Sequence, residues 1–322
     1  MPKTETIIGL DIGGTKCAVL IGSYDGDQVE ILQKEVIPTE KNADPYRMID
    51  RMIATAKELL GDRVPAAIGV SCGGPLDSKR GIIQRPPNLP TWDDVPITRI
   101  LSEAFGAPAH LQNDANACAL AEWKLGAGRG TDNMIFLTFG TGLGAGLILD
   151  GRLYTGTNDM AGEVGHVKLR EEGPVGYGKV GSFEGFCSGA GLAQLGYAMG
   201  LAKYQMGQKP LYFDPEKPLG GATAKTIADA VEQGDETARE VYRACGRYLG
   251  VGLSMLVDIL NPECIVLGSV FARSRELLWP DCKVVMERET LPMANEVCRV
   301  VPAQLSEHLG DYAALITAVY NN

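Results

Sequence analysis

Two short stretches, far apart in the chain, combine glycines with a hydroxyl at hairpin spacing. The first is Asp11-Ile12-Gly13-Gly14-Thr15-Lys16, between the apolar run Ile7 to Leu10 and a second run, Cys17 to Ile21. A turn lacking side chains at two positions lets backbone N–H groups converge on phosphate oxygens, and a carboxylate at the strand end, Asp11, could hold Mg²⁺ through water. Such a hairpin is weak evidence alone, since most tight turns bind nothing. About 127 residues on, in notional register with the first, the pattern returns as Ile135 to Phe139, then Gly140-Thr141-Gly142-Leu143-Gly144, then an apolar run to Leu149. Two such hairpins suit a nucleotide held by its phosphates, and the internal repeat suggests two similarly built α/β domains.

Three further stretches bear polar groups of the right kind. Asp114, in Gln112-Asn113-Asp114-Ala115-Asn116, falls where the run Ala109 to Leu111 gives way to an Ala-rich helix. Carboxyl ends of strands are where open α/β sheets bind ligands, although an N-cap aspartate would look the same. Gly162-Glu163-Val164-Gly165-His166 places a carboxylate and an imidazole three apart in a Gly-rich segment. They could bind sugar hydroxyls, whereas His166 alone would read as structural. Arg85 to Trp92 offers the Asn88 amide and the Trp92 ring in a Pro-stiffened loop, suited to a polyol if Trp92 is not simply packed inside.

Apolar spacing predicts helices over 43–60, closed by Gly61, over 96–105, and from Asn113 to Leu125, ending at Gly126. A long helix is expected from Glu236 to Leu260 with Asp235 as N-cap and Asn261-Pro262 as stop, and a short one over 310–320 that could dock on either domain. Strands are expected at 66–71 and 264–267. The domain boundary falls near the start of the 113–125 helix, giving domains of 1–114, joined by 310–320, and 115–309.

The composition agrees with a globular enzyme: 322 residues, 45% hydrophobic and 22% charged. A net charge of −10 disfavours a phosphate backbone as partner. Eight cysteines contain no C-x-x-C pair, which excludes zinc ribbons and thioredoxin-like motifs. No Walker A or Rossmann fingerprint occurs. No signal peptide and no bilayer-length apolar run is read, so a soluble, cytoplasmic protein is expected, with no membrane partner.

Taken together, these residues resemble the repressor, open-reading-frame, kinase (ROK) family of sugar kinases, within the actin/hexokinase-like ATPase superfamily. The pieces are Asp11 to Lys16, Gly73 to Asp77, Asn88 to Trp92, Asn113 to Ala117, Gly140 to Gly146, Gly162 to His166, and Gly268. The resemblance implies an α/β protein of two facing ribonuclease H-like domains with a central cleft that closes on sugar, and ATP-dependent, Mg²⁺-assisted phosphorylation of a hexose at its primary hydroxyl. An N-acetylhexosamine or fructose kinase, or a silent sugar-binding protein, remains an alternative. The resemblance assigns Asp114 as base, with Gly74, Asn88, Asn113, Glu163, His166 and Glu184 on the sugar. Asp11, Gly13, Gly14, Thr15, Lys16, Gly140, Thr141, Gly142 and Gly268 would bind the nucleotide. It also implies a homodimer.

Two departures from the family pattern stand out. The family's zinc loop, C-x-C-G-x-x-G-C-x-E, aligns with Val175 to Glu184, where all three cysteines are missing. No structural zinc is therefore expected, and an apolar cluster of Val175, Tyr177, Val180 and Phe183 would replace it. Ser269 stands where a second glycine is usual after Gly268. Repressors of the family carry an extra N-terminal DNA-binding domain, for which the ten residues before Asp11 leave no room, so no nucleic-acid partner is expected.

Overall fold

The computed structural model describes residues 4–40 and 42–320. In chain order its first part runs β1 (Glu5–Ile12), β2 (Lys16–Tyr24), β3 (Val29–Pro38), α1 (Pro45–Leu60), β4 (Pro65–Cys72) and the short β5 (Leu76–Asp77) and β6 (Ile82–Ile83). There follow α2 (Ile97–Phe105), β7 (Ala109–Asn113) and α3 (Asp114–Leu125). The second part comprises β8 (Met134–Leu137), β9 (Ala145–Leu149), β10 (Arg152–Tyr154), β11 (Val175–Gly176), β12 (Lys179–Val180), α4 (Phe183–Phe186), α5 (Gly189–Gln205), α6 (Ala224–Glu232) and α7 (Glu236–Leu260). Next come β13 (Cys264–Leu267), α8 (Ser269–Glu289), α9 (Pro292–Val297) and β14 (Arg299–Pro302), before the chain ends on α10 (Leu309–Val319).

The two large sheets repeat one plan. The first has the order β3-β2-β1-β4-β7, with β1–β2 and β2–β3 antiparallel and β1–β4 and β4–β7 parallel. The second is β10-β9-β8-β13-β14, with β9–β10 antiparallel and β8, β13 and β14 parallel. The chain divides into two compact units: residues up to 132 with 146–161 and 304 onward, and residues 133–145 with 162–303.

In the first unit the two-residue period of β1 sends Ile8, Leu10 and Ile12 to one face, where they share a core with Met48, Ile49 and Met52 of α1 and Ile97 and Leu101 of α2. Gly9 and Asp11 therefore take the other face, and that face receives α10. A Cβ on Gly69 would lie 2.1 Å from the Ala314 carbonyl, and one on Gly9 3.0 Å from Leu315, so glycines in β1 and β4 are what allow the helix to lie flat on the strands. α10 thus packs on the first unit.

Helix ends follow local chemistry. Asn113 accepts from the Ala115 N–H and Asp235 from the Ala238 N–H at the starts of α3 and α7, and α7 stops at Asn261 in the left-handed conformation, φ 43°. The expected apolar run through Phe139 is shorter than anticipated, since β8 ends at Leu137 and Thr138 and Phe139 already belong to the turn. Sequence periodicity also passed over α8, whose interior holds Pro280 and a non-helical Ser274.

Candidate active site

In the first unit the parallel strands β1, β4 and β7 end side by side: Asp11 lies beside Ser71 in register, Ser71 beside Gln112, and Cys72 beside Asn113. Asp114, the next residue, begins α3. Two carboxylates are thereby placed at the carboxyl edge of one sheet by backbone topology alone.

Their electrostatics are unusual. Asp11 is pushed up to about 6, first by burial and then by the negative charges of Asp114 and Asp311, while Lys34 and Lys16 pull it down. Asp114 is open to solvent, yet the protein packed around its carboxyl partly desolvates it and raises its pKa, against the opposing hydrogen bond from the Ala115 N–H at 2.8 Å. Sequence reasoning missed Lys34 and Asp311. Their ion pair at 2.7 Å joins positions 277 apart, and Asp311 is buried in the first turn of α10. A lysine in a strand and an aspartate in a helix carry no signal separately.

The expected ligand groups gather around these acids. Gly13 donates its N–H to the Lys16 carbonyl, closing the β1–β2 turn, and Thr39 clamps it by donating its hydroxyl to Gly13 O at 2.7 Å. Thr15 and Lys16 are exposed. A Cβ on Gly14 would stand 2.6 Å from Cβ of Asn88, so the glycine lets the Asn88 loop close on the hairpin. A Cβ on Gly74 would lie 3.3 Å from Nδ2 of Asn113. The Oδ1 of Asn113 is committed to the cap of α3, so its Nδ2 is the end left for a ligand. Trp92 is not available as a stacking face, being 1% exposed and packed in the core with Leu89, while the Arg85 N–H donates to its carbonyl and closes the loop.

The second unit carries the other hairpin. Thr138 Oγ1 accepts the Gly144 N–H at 2.9 Å, Gly140 donates to the Gly142 carbonyl at 3.0 Å, and the Thr141 side chain is exposed. Glu184 is bound into the same structure: its Oε2 accepts the Leu143 N–H at 3.0 Å and would meet a Cβ on Gly142 at 2.7 Å, leaving Oε1 uncommitted there. The turn over 164–166 lies against Leu143 because Gly165 has no side chain; a Cβ there would be 2.1 Å from the Leu143 carbonyl. Glu163 and His166 at its two ends are exposed. Gly268 caps α8 and donates to the Leu137 carbonyl, and Ser269 follows beside Gly140. Ser269 has φ +52°, a conformation natural to glycine, which is the physical content of the departure seen at this position.

The loop over 175–184 departs from expectation. Phe183 is buried against Gly252, but Val175, Tyr177 and Val180 are 43, 75 and 45% exposed, so the four do not form an apolar cluster. A two-residue hairpin is too small to bury them. Positive φ at both Tyr177 and Gly178 gives it the twist that strand pairs favour, and hydrogen bonds hold it. Gln194 accepts the Val175 N–H at 2.9 Å and donates to its carbonyl at 2.8 Å, and Lys179 Nζ donates to the His166 carbonyl at 2.7 Å. The residues of this loop do not fit zinc: Val175, Tyr177 and Ser182 bring neither thiolate nor imidazole, and Cys187 is buried with its thiol directed at the Cys245 carbonyl. Asp11 does fit a Mg²⁺ brought by a nucleotide, because a carboxylate raised by burial and then by neighbouring anions gains from a divalent cation.

Residues 7–319 match the ROK family. The chain is 32% identical to a glucokinase of Thermotoga maritima, over 96% of each chain. Among solved structures it is similar to a ROK hexokinase from Thermus thermophilus, with 34% identity, a TM-score of 0.78 and 98% of each chain covered. It is also similar to a ROK family glucokinase from Streptomyces griseus in complex with glucose and AMPPNP, with 29% identity, a TM-score of 0.76, and coverage of 98% of this chain and 99% of that one. No helix among the described residues is long and apolar enough to cross a membrane.

Proposed function

The chain belongs to the ROK family, and we propose from that premise that it is a glucokinase-type sugar kinase, transferring the γ-phosphoryl group of ATP to the primary hydroxyl of a hexose. The observation that carries this reading is Asp114: a solvent-reachable carboxylate with a raised pKa, at the carboxyl edge of the sheet and beside a second, nucleotide-suited acid. A binding protein gains nothing from such a base.

Phosphoryl transfer asks mainly for positioning and charge stabilisation, plus an acceptor for one proton. As the sugar oxygen bonds to the γ-phosphorus and the bond from that phosphorus to the bridging oxygen of ADP breaks, the hydroxyl proton passes to Asp114. Asn113 Nδ2 and Asn88 orient the sugar, with Gly74 leaving room for the ring. Glu163, His166 and the free Oε1 of Glu184 are assigned to hydroxyls, and Thr15, Lys16, Thr141 and the backbone amides of Gly13, Gly14, Gly140 and Gly142 to the phosphates, with Gly268 on the adenosine side. Mg²⁺ enters with ATP as part of that substrate, and Asp11 would hold it. The hydrogen bonds of Gln194 and Lys179 support a loop that needs no structural zinc, which elemental analysis of the purified protein checks. A homodimer in the cytoplasm follows the family's habit, and light scattering measures the first.

A coupled ADP-release assay over glucose, mannose, fructose, N-acetylglucosamine and N-acetylmannosamine tests the reading, with glucose expected to give the largest kcat/KM. Sugar binding by calorimetry without ADP release from any of them would establish a silent binding protein instead. Turnover confined to the acetamido sugars or fructose would move the assignment to those kinases.

A further inference from the structure

Beside β7, the edge strand of the first sheet, lies a recess of about 360 Å³ lined by none of the residues assigned to sugar or nucleotide. This is room for a small ligand. Its walls bring together Lys79 from the turn after β5, His110 and Gln112 from β7, and Tyr320 just past α10.

Each of the four has a donor to spare. Lys79 is exposed and makes no ion pair among the described residues. His110 is half-buried without a hydrogen-bond partner among them, and burial pushes its pKa down, so at neutral pH the ring is uncharged with one N–H to give. Gln112 is 9% exposed, and its Oε1 accepts both the Asn113 N–H at 3.2 Å and Asn116 Nδ2 at 3.3 Å. That commitment fixes the amide and leaves Nε2 as the free end. Tyr320 Oη accepts the Leu153 N–H at 2.9 Å, which leaves its own proton to donate.

The recess is polar, and Lys79 is the one charged side chain lining it among the described residues. No carboxylate lines it among the described residues, and Asp159 next to the lining Ser78 is already held by that residue's N–H and hydroxyl, at 2.8 and 2.9 Å. The hydroxyls of Thr98 and Thr317 donate to the carbonyls of Gly81 and Ala313, so the donors left over are those of Lys79, His110, Gln112 and Tyr320, and a tetrahedral oxyanion presents several acceptor oxygens to them and a charge for Lys79 to meet. We propose that this recess is a second ligand site, taking a phosphate dianion, free or as the ester of a small molecule. Its floor touches the catalytic turn through one side chain, because Gln112 holds the N–H of Asn113 directly before Asp114.

The site does not depend on the kinase reading, and binding tests it directly on the full chain. AMPPNP at saturation keeps phosphate off the glycine hairpins, and inorganic phosphate, glycerol 3-phosphate and uncharged glycerol are then titrated by calorimetry. Both phosphates are expected to bind and glycerol not, with Lys79→Met weakening phosphate by about tenfold or more, as loss of a charge-assisted contact does. Lys79 is exposed, so the variant should fold. In parallel, the imidazole resonances of the three histidines are followed by NMR, and the one that phosphate shifts should be that missing in His110→Gln. Tighter binding of glycerol 3-phosphate assigns the site to an ester, tighter inorganic phosphate to the free ion, and either supports the proposal. No binding, or binding that neither responds to Lys79→Met nor shifts His110, overturns it.

Discussion

The two glycine hairpins share a plan and differ most in chemistry at the residue that ends the first strand. At the end of β1 stands Asp11, crowded by Asp114 and Asp311 and raised to about 6, whereas in notional register with it after β8 stands Thr138, whose hydroxyl clasps Gly144 at 2.9 Å. The first turn therefore carries charge that the fold tolerates at a cost, and the second carries a hydrogen bond that stabilises the fold. On the proposed function, one backbone device would serve a cation in one unit and phosphate oxygens in the other, because the strand-end residue sets the charge.

The sharpest way to break this contrast is at Asp114. Asp114→Asn should lower kcat by at least roughly a hundredfold, as expected for loss of a positioned base, while calorimetry finds sugar affinity largely kept. Near-normal turnover would reduce Asp114 to a helix-end residue.

The contrast in stability follows. Thr138→Val leaves the Gly144 N–H without its acceptor and should cost about 1–3 kcal/mol in denaturant unfolding. Asp11→Asn should do the reverse at pH 7. A carboxyl raised from 3.8 to about 6 favours the protonated folded state, so folding stability falls as pH rises through that window, and a neutral amide recovers on the order of 1 kcal/mol at the expense of activity. If both substitutions destabilised equally, the two strand ends would be playing one role.

The pH profile gives a smaller effect. With Asp11 needed as an anion, kcat/KM should fall below about pH 6. Asp311→Asn removes a neighbouring negative charge and leaves Lys34 to act on Asp11 alone, so the acid limb should move to lower pH; a limb that stays in place would detach Asp11 from the reaction. The smallest effect belongs to Ser269→Gly, where relief of a left-handed φ, offset by the freer unfolded chain, should raise stability by no more than about 1 kcal/mol and Tm by a few degrees.

Several features were legible in the sequence because their causes lie within a few residues. Both hairpins, the Asn113 and Asp235 caps and the stop at Asn261 are set by local φ demands and by side chains that reach their own backbone. Asp11 and Asp114 were each legible at the end of a strand, but their meeting at one edge was not, because it depends on β4 pairing in parallel with both β1 and β7. The support around Asp11 was not. Lys34 and Asp311 meet only when α10 settles on β1 and β4, a placement that Gly9 and Gly69 permit but do not announce. The loop over 175–184 was misjudged for a related reason: whether Val175, Tyr177 and Val180 bury depends on what surface lies over them, while Gln194, which holds the loop, comes from the middle of α5. Local sequence determined the conformations and the chemistry at each turn. Tertiary structure decided which distant charges and amides surround them, because burial and ion pairing depend on neighbours that chain order does not name.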